Sequence, residues 1–179
     1  KEDSVSKAQL KKCFKSMPKE ELIEVILGLY DARKEAKEYV EYFLHADNQG
    51  EIEKRKKFLH KEFFPRGEGL MPGDYSVVKC KKIISDFEKM KADPVDVADL
   101  MLFYVEKGCR FTLAYGDIDE PFYASFARYF DKTRKYIRAN NLMSVYRNRA
   151  KKIVDSVYDD VGWGFPDELL DSYNKYVTK

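Results

Sequence analysis

Apolar residues recur at intervals of three and four along nearly the whole chain, and this spacing constrains the fold more than any other feature. The alternation typical of strands is scarce. Prolines, glycines and Asn/Asp pairs divide the pattern into about nine segments. The sequence therefore predicts an all-α protein of about nine helices joined by short links. We expect stacked antiparallel helical hairpins, either solenoid-like or as a compact bundle.

Several helix boundaries are marked by residues that favour starts and stops. Ser6 is a candidate N-cap of the first helix, and Pro18 suits the first turn of the second. Asp93–Pro94 marks the start of a sixth helix, and Gly116 is its candidate C-cap. Within that helix, residues 100–105 are all apolar, so we expect it to be central and covered on several sides.

The length of 179 residues suits a single domain spanning 1–179. The loop 65–74 is the one place where we expect a sub-domain boundary, because it is rich in glycine and proline. The longest apolar run, residues 100–105, is far shorter than the roughly 20 residues of a membrane span. The sequence therefore predicts no membrane association.

Composition excludes several classes of protein. With 9 glycines and 6 prolines, the chain is neither collagen-like nor a turn-rich β protein. A net charge of +2 with 15% aromatic residues argues against disorder. The spacing of Cys13, Cys80 and Cys109 matches no metal or redox motif, so we expect reduced thiols in the cytoplasm.

Two stretches together resemble one family of uncharacterised bacterial proteins, a domain of unknown function. They are SKAQLKKCFKSMPKEELIEVILGLYD, from Ser6, and ADLMLFYVEKGCRFTLAYGDIDEPFYASF, which contains the YGDIDEPFY element. The resemblance covers most of residues 4–130. It implies an all-helical fold and a bacterial cytosol, but it implies no activity and assigns no functional residue.

The start of the chain is also similar to the DNA-binding SAP motif. In LKKCFKSMPKEELIEVIL a Leu-Lys helix precedes a Lys-x-Glu-Leu-Ile helix, as in that motif. The loop between the two helices is shorter here, and the match lies mostly at general amphipathic positions. This similarity implies nucleic-acid binding.

The densest cluster of functional groups lies at the junction between the sixth and seventh helices. It combines three carboxylates with two phenols, and the preceding helix adds an acid and a base four residues apart: Asp117, Asp119, Glu120, Tyr115, Tyr123, Glu106 and Arg110. Asp117 or Asp119 would cap the seventh helix. A partner-binding junction and a cation or acid–base site are the alternatives, although an EF-hand spacing is absent.

No catalytic set emerges from the rest of the chain. The two histidines are 15 residues apart and neither neighbours a cysteine, and no phosphate-binding glycine motif is present. We therefore predict no catalytic residue, cofactor or metal. Trp163 lies in a glycine-flanked link, where it either plugs the end of the helical stack or anchors another chain.

Charge is distributed unevenly along the chain. Residues 128–152 hold nine bases and one acid, a net +8, and residues 155–171 hold six acids and no base, a net −6. A hairpin of the seventh and eighth helices would gather the bases into a polyanion-binding face. The candidate residues are Arg128, Lys132, Arg134, Lys135, Arg138, Arg147 and Lys151. The alternative is a set of solvated faces balanced by acidic helices packed alongside.

The absence of a catalytic set and the aromatic-rich acidic junction favour one function. The sequence predicts a non-enzymatic, cytoplasmic helical interaction module whose partner is a protein. The alternative is a protein that associates with nucleic acid or another polyanion through residues 128–152. Neither the identity of the partner nor the oligomeric state follows from the sequence.

Overall fold

The computed structural model of the chain describes residues 5–44, 48–70 and 75–177, and these ranges contain nine α-helices and no strand. The all-α prediction is confirmed. The helices are α1 (Lys7–Ser16), α2 (Lys19–Ala32), α3 (Lys34–Leu44), α4 (Asn48–Phe63), α5 (Val77–Lys89), α6 (Pro94–Tyr115), α7 (Glu120–Ala139), α8 (Met143–Asp155) and α9 (Phe165–Val177).

The predicted caps account for how several helices begin and end. The Ser6 hydroxyl accepts from the Gln9 amide at 3.3 Å, and the Gln9 side chain accepts from the Ser6 amide at 2.9 Å, which together form a capping box. Asp93 accepts from the Val95 amide at 2.8 Å and begins α6. Gly116 ends α6 with φ 84°, a conformation that few residues other than glycine adopt.

The chain divides into two compact units. Unit 1 is Lys1–Ala46 with α1 to α3, and unit 2 is Asp47–Lys179 with α4 to α9. The division therefore lies between α3 and α4, whereas the sequence suggested the loop 65–74, of which residues 71–74 lie outside the described ranges. The loop is no boundary because α4, before it, packs against α5 and α6, after it. In unit 1, α2 packs against α3.

In unit 2 the central element is α6. It contacts α4, α5, α7 and α8, as its apolar sequence predicted. A solenoid hairpin contacts only its neighbours, so these contacts make unit 2 a compact bundle, the second of the two predicted geometries. The pairing of α7 differs from expectation, because α7 packs more extensively against α9 than against α8.

Aromatic rings from α4, α6 and α7 fill the core of unit 2. Phe63, Tyr104, Phe111, Phe122 and Phe126 pack with ring centroids between 4.6 Å (Phe122–Phe126) and 6.1 Å (Phe63–Phe126) apart. The backbone of α6 approaches the Phe126 ring closely at Gly108. Although α6 is apolar, no described helix combines the length and hydropathy needed to cross a bilayer.

Candidate functional site

The junction between α6 and α7 is shaped by a glycine turn and an aspartate cap. The Gly116 amide donates to the Thr112 carbonyl at 2.9 Å and closes α6. The Asp119 carboxylate accepts from the Phe122 amide at 2.7 Å and begins α7. Of the two aspartates that could have capped α7, Asp119 takes this role, and Asp117 is left for other partners.

The Tyr123 hydroxyl connects these two helix ends. It lies 2.8 Å from the Thr112 hydroxyl, accepts from the Ile118 amide at 3.2 Å and donates to Asp117 Oδ1 at 2.6 Å. The tyrosine is buried, and burial together with the adjacent Asp117 raises the pKa of its phenol. Tyr123 therefore stays protonated and holds Asp117 in place.

Asp117 also fixes Trp163. The indole Nε1 donates to Asp117 Oδ2, while 64% of the tryptophan surface stays exposed. Bonds from Tyr123 and then Trp163 hold the pKa of Asp117 below its usual range. The sequence predicted two alternative roles for Trp163, a plug or an exposed anchor, and its exposure excludes the plug. The nearby Phe165 is the buried aromatic residue, 1% exposed, with its ring centroid 5.1 Å from that of Tyr123.

A cleft of about 460 Å³ opens beside this network. It is lined by Thr112, Leu113, Gly116, Asp117, Tyr123, Asp160, Val161 and Gly162. Two of these residues are aspartates and none is basic. Asp160 comes from the acidic segment 155–171, so that segment and the junction meet here. The cleft therefore suits a cationic group and donors of hydrogen bonds.

Four other residues predicted for this site do not take part in the network around Asp117. Glu106 binds Arg149 through both carboxylate oxygens, at 2.6 and 2.9 Å. Arg110 forms an ion pair with Glu68, so the two charges that share a face of α6 have different partners. The Tyr115 ring packs 4.8 Å from Phe111. Glu120 is exposed in the first turn of α7, where an acid favours the helix dipole.

Arg134 corrects the predicted polyanion-binding face. Its side chain is 0% exposed, its guanidinium lies 5.1 Å from the Tyr173 ring, and no described residue accepts a hydrogen bond from it. Burial lowers its pKa. The prediction that Arg134 lies on an open basic surface is therefore wrong, because the face of α7 that carries it is covered by α9.

Much of the remaining basic segment is paired with acids. Lys135 bonds Asp131 at 2.7 Å, and Lys151 bonds Asp155 on its own helix. A groove of about 560 Å³ between α7 and α9 has a mixed lining of Ala127, Arg128, Asp131, Lys135, Glu168, Asp171, Ser172 and Lys175. The basic and acidic segments thus lie side by side along this groove, as the alternative of balanced faces described. Arg138 and Arg147 are exposed.

One basic cluster remains, and it includes a lysine that sequence reasoning missed. Lys81 of α5 donates to the Ser125 hydroxyl at 2.8 Å, and the Lys81 and Lys132 ammonium groups each lie 5.6 Å from the Tyr129 ring. Burial, Arg128 and Lys132 all lower the pKa of Lys81. No sequence signal pointed to Lys81, since it joins the other two cations only because its side chain reaches α7 in the folded chain.

Within the described ranges, no group of three or more His, Cys, Asp or Glu side chains is arranged to hold a metal ion. No curated protein and no solved structure matches the chain. A family model, described as a family of unknown function (DUF6155), matches residues 5–175. Since the match spans nearly all of the sequence, the chain belongs to DUF6155, a family of unknown function.

Proposed function

We propose that the protein is a non-enzymatic interaction module that binds a cationic segment of another protein in the cleft beside Trp163. One observation carries this proposal. The only tryptophan of the chain is exposed, yet its indole is held by Asp117 at the edge of a cleft lined by two aspartates.

An indole that is already held in place is suited to binding. Tryptophan is enriched among the residues that dominate interface energies, because it buries a large area around one polar N–H. A fixed rotamer loses less conformational entropy when a partner covers it. The carboxylates of Asp117 and Asp160 attract cationic partners and disfavour acidic ones.

The states of the titratable groups support a role without catalysis. A carboxylate whose pKa is lowered, as that of Asp117 is, makes a poor general base or acid near neutral pH. Burial raises the pKa of Cys80 and of Cys109 to about 12, which makes both thiols poor nucleophiles. All three cysteines are free, and this favours a reducing compartment such as the cytoplasm.

The single tryptophan provides the test. We expect its emission to shift when the protein is titrated with Arg- and Lys-rich synthetic peptides, but not with acidic peptides of the same length. Asp117→Asn and Asp160→Asn should each weaken peptide binding about tenfold, equivalent to about 1.4 kcal/mol. Glu88→Gln, at an exposed acid of α5, should leave the affinity unchanged. Equal binding of acidic and basic peptides, or binding of neither, would contradict the proposal.

A second candidate function is polyanion binding at the Lys81 cluster, which we define as Lys81, Arg128 and Lys132. Two of these cations, Lys81 and Lys132, lie beside the Tyr129 ring, and Arg128 is close enough to Lys81 to help lower its pKa, which favours this function. Burial, and then repulsion by Arg128 and Lys132, lower the pKa of Lys81, and an arriving phosphate would oppose both effects. We expect weak duplex DNA binding that decreases steeply with salt.

Matched charge removals test this candidate. Lys132→Gln should reduce the slope of log affinity against log salt by about 0.9, because one phosphate contact is lost. Lys151→Gln removes a lysine that is paired with Asp155 and should leave the slope unchanged. A flat salt response, or equal effects of the two variants, would exclude the Lys81 cluster.

A further inference from the structure

The described part of unit 1, residues 5–44, contains no buried core. None of its described residues, 5–44, is buried, although α2 is one of the most apolar helices of the chain. Five aliphatic side chains of α2 are between 37% (Val25) and 52% (Leu29) exposed: Ile23, Val25, Ile26, Leu27 and Leu29. A helix that is apolar on most sides is normally covered by neighbours.

Unit 1 is too small to be stable in this form. Its helices are 10, 14 and 11 residues long, and isolated helices shorter than about 12 to 15 residues are marginal in water. Chains of about 40 residues usually require a disulfide, a metal or oligomerisation. Cys13, the only cysteine of unit 1, is a free thiol. The physical expectation is therefore that α2 requires a further surface to cover it.

The charges of unit 1 indicate what covers it. The helix α1 carries Lys7, Lys11, Lys12 and Lys15 and no acid. The helix α2 carries Glu20, Glu21, Glu24 and Asp31 against one base, Lys19. A shallow groove of about 360 Å³ on α1 combines basic and apolar side chains, since Lys7, Lys11 and Lys15 surround Leu10 and Phe14. The two helices are thus complementary in charge, and both are amphipathic or apolar.

Within one chain, α1 does not cover α2. Met17 and Pro18, which link the two helices, are extended, with ψ of 135° and 147°. Leu10 of α1 and Ile23 of α2 remain 44% and 43% exposed. The complementary surfaces are therefore both open in the same molecule.

We propose that unit 1 is a self-association module in which α1 of one copy docks against α2 of a second copy. A two-fold interface requires one chain to carry both complementary surfaces, and each contact is then made twice. The α2–α3 pair of one copy, joined by the Tyr30–Glu41 hydrogen bond of 3.0 Å, receives α1 of the other. This interface is separate from the cleft beside Trp163 and does not depend on the proposed function.

Sedimentation velocity of the full chain tests the proposal. We expect a species of about twice the 21.0 kDa chain mass at micromolar concentration. The charge reversals K7E/K11E on α1 and E21K/E24K on α2 should each give monomers, because like charges then face each other. A mixture of these two variants should form a heterodimer, since each reversed helix meets a complementary one.

The matched control is K57E/K61E, which makes the same double reversal on an exposed stretch of α4 in unit 2. It should leave both the dimer and the far-UV circular dichroism spectrum unchanged. The monomeric unit 1 variants should lose part of their helicity, because their short helices are no longer covered, and the mixture of the two should regain it. A wild-type chain that stays monomeric up to about 100 µM, a dimer that survives both unit 1 reversals, or a mixture that stays monomeric would overturn the proposal.

Discussion

Asp117 and Asp119 are two residues apart and serve different purposes. The Asp119 carboxylate caps α7, while that of Asp117 accepts bonds from a phenol and an indole. The sequence identified both as candidate caps, because either precedes the first turn of α7. It did not distinguish them, since the choice depends on where the Gly116 turn directs the chain and on the position of Trp163, 46 residues after Asp117.

The lowered pKa of Asp117 predicts a pH effect. Its bonds to Tyr123 and Trp163 form fully above the ordinary aspartate pKa of about 3.9 and are lost as the pH falls through the lower, folded value. We expect Trp163 emission to change with a midpoint below about 4. Tyr123→Phe should move this midpoint upward, because the largest cause of the shift is removed, and Asp117→Asn should abolish it. A wild-type midpoint above about 5 would contradict the assignment.

Arg134 is the residue whose surroundings depart furthest from sequence expectation. Its neighbours in sequence, Lys132 and Lys135, are exposed, so a count of charges cannot identify it as buried. Arg134 is buried because it lies on the side of α7 that packs against α9. The loss of water around an unpaired guanidinium opposes folding, and the Tyr173 ring offsets only part of this cost.

Replacing Arg134 by methionine should therefore stabilise the protein. We expect Arg134→Met to raise the free energy of unfolding by about 1 kcal/mol or more, because a side chain of similar length fills the site without a charge. Arg138→Met, at an exposed position of α7, should stay within about 0.5 kcal/mol of wild type. Urea denaturation measures both. A lower free energy of unfolding for Arg134→Met would contradict this prediction. It would indicate that a hydrogen-bond acceptor or an anion pairs with the guanidinium.

At the scale of the element, helix α6 shows what a residue pattern can reveal. Its cap at Asp93, its end at Gly116 and its central position all followed from sequence. The packing partners of the helices did not follow from the sequence. The helix α7 packs mainly against α9, and Lys81 of α5 joins two cations of α7. Helix spacing defines which residues share a face, but the order in which helices pack depends on the shapes of all faces together.

Replacing glycine by alanine should lower stability at one position, where α6 approaches α7 closely, and raise it at another. A Cβ on Gly108 would lie 2.2 Å from the Phe126 ring, so Gly108→Ala should destabilise unit 2 by roughly 1 to 3 kcal/mol. At Gly28 of α2 nothing lies within 4 Å, and Gly28→Ala should stabilise the helix by up to about 1 kcal/mol. Chemical denaturation measures the effect of Gly108→Ala. Circular dichroism measures the change in helix content caused by Gly28→Ala. Equal effects of the two substitutions would contradict the packing of Gly108 on Phe126.

At the scale of the whole molecule, the two units differ in how they are stabilised. Among the described residues, every buried side chain lies in unit 2. The sequence predicted a single domain because a length of 179 residues suits one domain of ordinary size. Apolar spacing was present in both units, but spacing alone does not show whether an apolar face finds a neighbour.

Removing unit 1 should leave unit 2 folded. We expect a chain of residues 47–179 to unfold within a few degrees of the 179-residue chain, because the buried aromatic core is retained. As a control, a chain ending at residue 164 lacks Phe165, Leu169 and Tyr173, all buried, and should lose cooperative unfolding. Differential scanning calorimetry measures both. A large loss of stability in the 47–179 chain would show that unit 1 supports the core.

The uncovered aliphatic face of α2 also matters during synthesis. Ribosomes add about 5 to 20 residues per second, so α2 emerges roughly ten seconds before the last helices of unit 2. The nascent chain therefore presents this apolar surface before unit 2 has folded. Chaperones that bind aliphatic segments, or a neighbouring nascent chain on the same message, would meet this surface before the aromatic core exists.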